Sequence, residues 1–220
     1  MSFLSKALIK AFTVLGLVGS SAASGAPLPA PAVDAPLAAA PAPATAVFAG
    51  GCFWGVEAVF AHVKGVKSAT SGYSGGDAST AHYTVVGSGR TGHAESVKVT
   101  YDPAVVSYGQ LLKVFFSVAH DPTQLNRQGP DVGTQYRSAI FYSTPEQKRI
   151  ADAYVDQLNR AKAFSRPIVT EIAPLKAFYQ AEDYHQNYLA LHPNEPYIVF
   201  NDMPKLAELK QQFPDLYAAR

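Results

Sequence analysis

Residues 44–60 read ATAVFAGGCFWGVEAVF, and two periodicities meet in them. Ala44 to Gly50 is a short apolar run of strand length, and the Gly50-Gly51 pair that ends it marks a tight turn. Val56, Val59, Phe60 and, just beyond, Val63 fall at i, i+3, i+4 and i+7, the apolar stripe of a helix. A buried strand that turns sharply into a helix places Cys52, the only cysteine of the chain, at the junction.

The elements downstream extend this beginning. Val66 to Tyr73 reads as a second strand, followed by a small-residue loop from Ser74 to Thr80. Glu95, Val97, Val99 and Tyr101 alternate with Ala94, Ser96, Lys98 and Thr100, the period-2 pattern of a half-buried strand. Ser107 is placed to cap a helix running through Leu111, Leu112, Phe115, Phe116 and Ala119. The stretch from His120 to Tyr136, HDPTQLNRQGPDVGTQY, is a long polar loop of the kind that carries function. Ser138 to Tyr142 is a strand, Thr144-Pro145 caps a helix to about Phe164, and Pro167 to Ala173 is a short strand. Glu182 to Leu191 and Lys205 to Gln212 read as helices, with His192 to Asn201 irregular between them. This order, with at least one hairpin, predicts an α+β two-layer sandwich rather than a doubly wound sheet.

Upstream, Lys6 and Lys10 precede the apolar run Ala11 to Gly19 and the small residues SSAAS, the order of an export leader cleaved after Ala23. Residues 24–46 are rich in Ala and Pro and read as a stiff, extended linker without a core of its own. The organisation expected is therefore a leader over 1–23, a linker over 24–46 and one folded domain over 47–220. With 48% hydrophobic and 16% charged residues, the 220-residue chain can bury a real core and is no disordered or collagen-like sequence. Its formal net charge of +1 favours neither nucleic acid nor an anionic membrane.

One cysteine permits neither an internal disulfide nor a Cys-rich zinc site. At the first turn of a helix the free N–H groups and the dipole favour a thiolate, which makes Cys52 a candidate nucleophile. Phe53 and Trp54, beside it, are either core packing or an aromatic cage for a soft group such as a thioether. Glu95 shares a strand face with three apolar residues, where desolvation raises a carboxyl pKa and creates a proton donor, unless the strand end is solvated. Tyr83 and Tyr136 are hydroxyl donors among 12 tyrosines. Asp131 and Arg137 can pair with each other or with a peptide. Six histidines show no HExxH and no tight pair, so no metal site is expected.

Several motifs in order, GGCFWGVEAVF, GYSGG, HYTVVGSGRTGHAE, HDPTQLNRQGPDVGTQYRSAIFYS and AEDYHQNYL, closely resemble the methionine sulfoxide reductase A family over Val47 to Phe213. The resemblance implies a two-layer sandwich with a ferredoxin-like core. It implies reduction of the S epimer of methionine sulfoxide, free or in proteins, and so the repair of oxidised proteins. By motif position Cys52 matches the nucleophile and Glu95 the acid that protonates the oxygen. Tyr83 and Tyr136 match the hydroxyls that hold that oxygen, and Phe53 and Trp54 the pocket for the sulfur-bound methyl. Asp131 and His185 occupy further positions near the substrate.

The departure from many family members is a tail, Pro193 to Arg220, without a resolving cysteine. A sulfenic Cys52 then needs an external thiol, a thioredoxin-like protein or a small thiol such as glutathione, and no other cofactor. Together with the leader, this predicts an exported, periplasmic enzyme served by an exported donor. A monomer is expected. Two other readings are a module that binds oxidised methionine peptides with little or no turnover, and a thiol hydrolase using a remote histidine.

Overall fold

The computed structural model describes residues 27–219, so the expected leader lies outside the described residues. Six strands form one sheet: β1 (Ala44–Gly50), β2 (Val66–Ser74), β3 (Ala94–Tyr101), β6 (Ser138–Tyr142), β7 (Glu171–Pro174) and β8 (Phe178–Gln180). A small hairpin, β4 (Arg127–Gln128) with β5 (Asp131–Val132), stands apart from it. The helices are α1 (Phe53–Ala61), α2 (Tyr83–Val86), α3 (Tyr108–Val114), α4 (Pro145–Arg160), α5 (Tyr188–Leu191) and α6 (Met203–Gln212).

Strand order across the sheet is β7-β6-β1-β3-β2-β8, antiparallel throughout except for the parallel pair β6 and β7. The inner four, β6-β1-β3-β2, with α1 between β1 and β2 and α3 after β3, are the split βαβ arrangement of a ferredoxin-like core. Alternation along β1 sends Ala46 and Phe48 to the helical layer and Val47 and Ala49 to the opposite face. On the helical side Phe48 stacks against Phe60 of α1 at 5.1 Å and against Phe115, beyond α3, at 5.0 Å. Tyr154 and Leu158 of α4 and Leu209 of α6 join the same cluster, so the helices form one layer.

Several elements differ from the sequence reading. The helix capped by Thr144 ends at Arg160, short of Phe164, and Lys162 takes a left-handed φ of 50°. The helix expected over Glu182 to Leu191 is broken at Asn187, whose φ is 54°, into a 3₁₀ turn Asp183–His185 and the single turn of α5. Glu57 of α1 stabilises this break, its carboxylate accepting the Asn187 N–H at 2.9 Å and the Ser71 hydroxyl at 2.7 Å.

The stretch expected to be a linker to Ala46 becomes strand at Ala44, and from Pro27 it is laid on the domain as a strap. Leu28, Val33 and Ala35 pack on the core. Pro29 O accepts the Tyr154 hydroxyl at 2.8 Å. Asp34 accepts the Gly109 N–H at 2.8 Å and the Ser107 hydroxyl, at the start of α3.

Candidate active site

Three neighbouring strands bring the site residues to one end of the sheet. Antiparallel pairing of Phe48 with Val97 and of Gly50 with Ser138 puts the end of β1 beside the beginnings of β3 and β6. Cys52 therefore follows β1, Glu95 is the second residue of β3, and Tyr136 lies two residues before β6. Tyr83 opens α2 in the connection between β2 and β3.

The turn that delivers Cys52 depends on its glycines. Gly51 has a φ of 91°, and a Cβ there would lie 2.5 Å from the Gln128 Cβ. At Gly55 a Cβ would meet the Asp202 carboxylate at 2.1 Å, so only glycine lets that group rest against the first turn of α1.

Cys52 is the N-cap residue of α1 and is 7% exposed. A cavity of about 270 Å³ opens beside it, lined by Phe53, Trp54, Tyr83, Glu95, Asp131 and Tyr136 together with Glu195 and Tyr197. Glu95 is buried, and its carboxylate accepts the Phe53 N–H at 3.1 Å. Burial pushes its pKa up to about 8, helped by the Asp131 and Asp202 charges and opposed by the Phe53 hydrogen bond. The apolar face predicted from the alternation wins over the solvated strand end.

The Cys52 thiol departs from expectation. Burial first, then the Glu95 and Asp202 carboxylates, push it well above the usual thiol range. The Trp54 N–H and the Lys205 ammonium pull the other way without prevailing. Tyr83 is raised to about 12, chiefly by burial, and Tyr136 is also raised chiefly by burial, so both hydroxyls stay protonated donors.

The aromatic wall is braced from behind. Trp54 stacks on Tyr188 at 3.8 Å and donates its indole N–H to His185 Nδ1 at 3.1 Å. His185 is thus fixed as the Nε2–H tautomer, buried among Phe53, Trp54 and Tyr83, and it supports the wall rather than lining the cavity. Arg137 does not pair with Asp131. It binds Glu171 at 2.9 Å, Thr134 O at 3.1 Å and Gly92 O at 3.0 Å, tying the turn before Glu95 to the turn that carries Tyr136. Asp131 instead accepts the Tyr197 hydroxyl.

Motif reading did not single out Glu182, Tyr197, Asp202 or Lys205. Glu182 holds the Tyr83 N–H and the Tyr73 hydroxyl, each at 2.9 Å. Asp202 is fully buried, bound to Lys205 at 3.0 Å, and has one carboxylate oxygen unpartnered. Among the described residues no group of three or more His, Cys, Asp or Glu side chains is arranged to hold a metal. His120, near Cys52, has one ring nitrogen on Phe115 O at 3.1 Å and the other on the Ser138 hydroxyl at 2.7 Å. Burial lowers its pKa to about 3, so the ring stays neutral with both nitrogens already hydrogen-bonded.

A ferredoxin-like α+β domain with one recessed thiol, a protonated carboxyl and an aromatic wall in a single cavity defines a thiol-dependent oxidoreductase site. The profile of the family "Peptide methionine sulfoxide reductase" matches residues 44–217, and the chain belongs to that family. It is 63% identical to the MsrA 2 of Mesorhizobium japonicum, over 83% of this chain and 93% of the relative. It is 58% identical to the MsrA 2 of Synechocystis, over 80% and 82%. Among solved structures it resembles methionine sulfoxide reductase A of Corynebacterium diphtheriae, with TM-score 0.61, 38% identity and coverage of 78% and 88%. Reduced Mxr1 of Saccharomyces cerevisiae is similar, with TM-score 0.62, 34% identity and coverage of 70% and 87%.

Proposed function

We propose that this methionine sulfoxide reductase acts on the S epimer, free or in proteins, through a Cys52 sulfenic acid that an external thiol resolves. The observation that carries this reading is the buried Glu95 carboxyl, with a pKa of about 8, lining one cavity with the Cys52 sulfur.

At neutral pH Glu95 is mostly protonated and donates to the sulfoxide oxygen, while the Tyr83 and Tyr136 hydroxyls hold the same oxygen. Phe53 and Trp54 receive the sulfur-bound methyl. A neutral Glu95 also removes the largest charge that opposes a Cys52 thiolate. The Cys52 sulfur attacks the sulfoxide sulfur, the oxygen passes to Cys52, and the thioether leaves. The thiol proton of Cys52 restores Glu95. In balance, sulfoxide plus thiol becomes thioether plus sulfenic acid. A first thiol then displaces water to form a mixed disulfide, and a second thiol releases Cys52 and carries away a disulfide.

Cys52 is the only cysteine, so no partner within the chain can take the first role. A thioredoxin-like protein or a small thiol takes it, and no metal or other cofactor enters the cycle. The order Lys6, Lys10, apolar run and SSAAS supports export to the periplasm, which a full-length chain in the cytosolic fraction would refute.

The deciding experiment gives the mature domain each pure methionine sulfoxide epimer without reductant. One methionine released per chain from the S epimer alone, with one oxygen gained and none in Cys52→Ser, is expected. Binding of the sulfoxide peptide with no oxygen transfer would favour the binding-module reading instead.

A further inference from the structure

Cys52 lines a second cavity, of about 340 Å³, whose other walls come from residues within 117–131, from Tyr197 and Asn201, and from α6. Cys52, Asp131 and Tyr197 border both cavities, and the Tyr197 hydroxyl bonded to Asp131 makes the partition between them. Glu95, Phe53, Trp54, Tyr83 and Tyr136 belong only to the first cavity, whereas Lys205, Pro204 and Glu208 belong only to the second.

We propose that this second chamber is the entrance for the resolving thiol, so that sulfoxide and reductant reach one sulfur from opposite sides. The inference rests on the sulfenic cycle above. Oxygen arrives on Cys52 from the Glu95 side. A nucleophile displacing it approaches the divalent sulfur along the extension of the S–O bond, away from that oxygen, and the chamber borders Cys52 across the Asp131–Tyr197 partition from the Glu95 cavity. The step forms a bond between the two sulfurs, breaks the S–O bond and releases water once the leaving oxygen is protonated.

Two features of the chamber suit a thiol. The Lys205 ammonium, bound to Asp202 at 3.0 Å, is near enough to lower the Cys52 pKa, which favours Cys52 as the thiolate released when the second thiol cleaves the mixed disulfide. Leu125, Val132 and Phe200, which are 67%, 68% and 78% exposed, follow or precede the lining residues Gln124, Asp131 and Asn201 in the chain. Such apolar residues near the mouth suit a protein donor that presents its thiol on a surface loop, whereas a small thiol needs only the chamber.

Pro204 and Glu208 are exposed and four residues apart on α6, so Pro204→Trp and Glu208→Trp fill the chamber from one helix face without touching the core. The experiment first measures methionine released in a single turnover without reductant. The desalted, oxidised protein is then mixed with glutathione, or with a thioredoxin, and loss of the sulfenic acid is timed by intact mass.

The expected result is an unchanged release of methionine with resolution by both thiols slowed by about tenfold or more. Phe200→Ser is expected to slow resolution by thioredoxin alone. If only one thiol is slowed by the tryptophans, the chamber is the entrance for that source. Resolution by both at the wild-type rate in both tryptophan variants would overturn the proposal. Failure of wild-type methionine release would instead overturn the sulfenic cycle on which it stands.

Discussion

Glu95 sets the pH behaviour of the site because burial holds its carboxyl protonated beside the sulfur at neutral pH. Its pKa of about 8 predicts a single-turnover rate that is level below pH 8 and falls about tenfold per unit above it. A rate that climbs through pH 8 would show that thiolate supply, not the acid, limits the step. Glu95→Gln keeps an oxygen for the Phe53 N–H but has no proton to give. It should retain sulfoxide binding and lose about 10²- to 10⁴-fold in turnover, and an unchanged single-turnover rate would remove Glu95 from the mechanism. The same shift works on stability. The group ionises near 4.5 in the unfolded chain and near 8 in the fold, so its contribution is intact below pH 4.5 and is lost as pH rises toward 8. The loss accumulates at about 1.4 kcal/mol per unit. Glu95→Gln should therefore melt higher than wild type at pH 9, with the gap closing at pH 5. Cys52 and Glu95 were legible in the sequence because a local pattern, a glycine turn in one case and strand alternation in the other, decides where each points. Glu182 was not, since its bonds to Tyr83 and Tyr73 span 99 and 109 residues and no local pattern encodes them. The raised Cys52 pKa was missed for a related reason, as the burial that chiefly raises it, and then the Glu95 and Asp202 charges beside it, come together only through the fold.

Elements with strong periodicity, such as β1, β3, α1 and the Ser107 cap, formed where the pattern placed them, and the cap is a full box with Gln110. The segment from Glu182 to Leu191 did not form one helix, because the Glu57 carboxylate fixes the Asn187 backbone from outside the segment. β8 escaped notice because it is a three-residue edge strand, too short to show alternation. The Ala/Pro-rich stretch misled for another reason: composition reports that a segment has no core of its own, not whether it lies on someone else's. Asp34 is the test. Its carboxylate satisfies the Gly109 N–H and the Ser107 hydroxyl where the dipole of α3 is positive, an arrangement worth about 1 kcal/mol. Asp34→Ala should lower the melting temperature by about 2–4 °C while leaving the sulfoxide half-reaction unchanged. An unaltered melting temperature would show that the Asp34 hydrogen bonds add nothing to the domain.

At the scale of the whole molecule, one thiol in 220 residues makes the fate of the oxidised chain a question of access. Once Cys52 carries an oxygen, another copy's Cys52 is the only thiol available in a solution of the pure protein. That encounter would join two sulfurs, each recessed at 7% exposure where the two cavities meet at the Asp131–Tyr197 partition. The disulfide requires β-carbons roughly 3.5–4.5 Å apart, which two cavities facing each other cannot provide without opening both domains. The chain should therefore carry one oxygen and form no covalent dimer after a single turnover, even at high concentration. Non-reducing electrophoresis and intact mass read this directly. A covalent dimer accumulating with protein concentration would mean that the sulfur moves to the surface after oxidation, and that the donor meets it outside the fold. A stable oxidised monomer, reduced at once by an added thiol, would mean that the reductant must come to the sulfur, so that selection of the donor is made by the walls around Cys52.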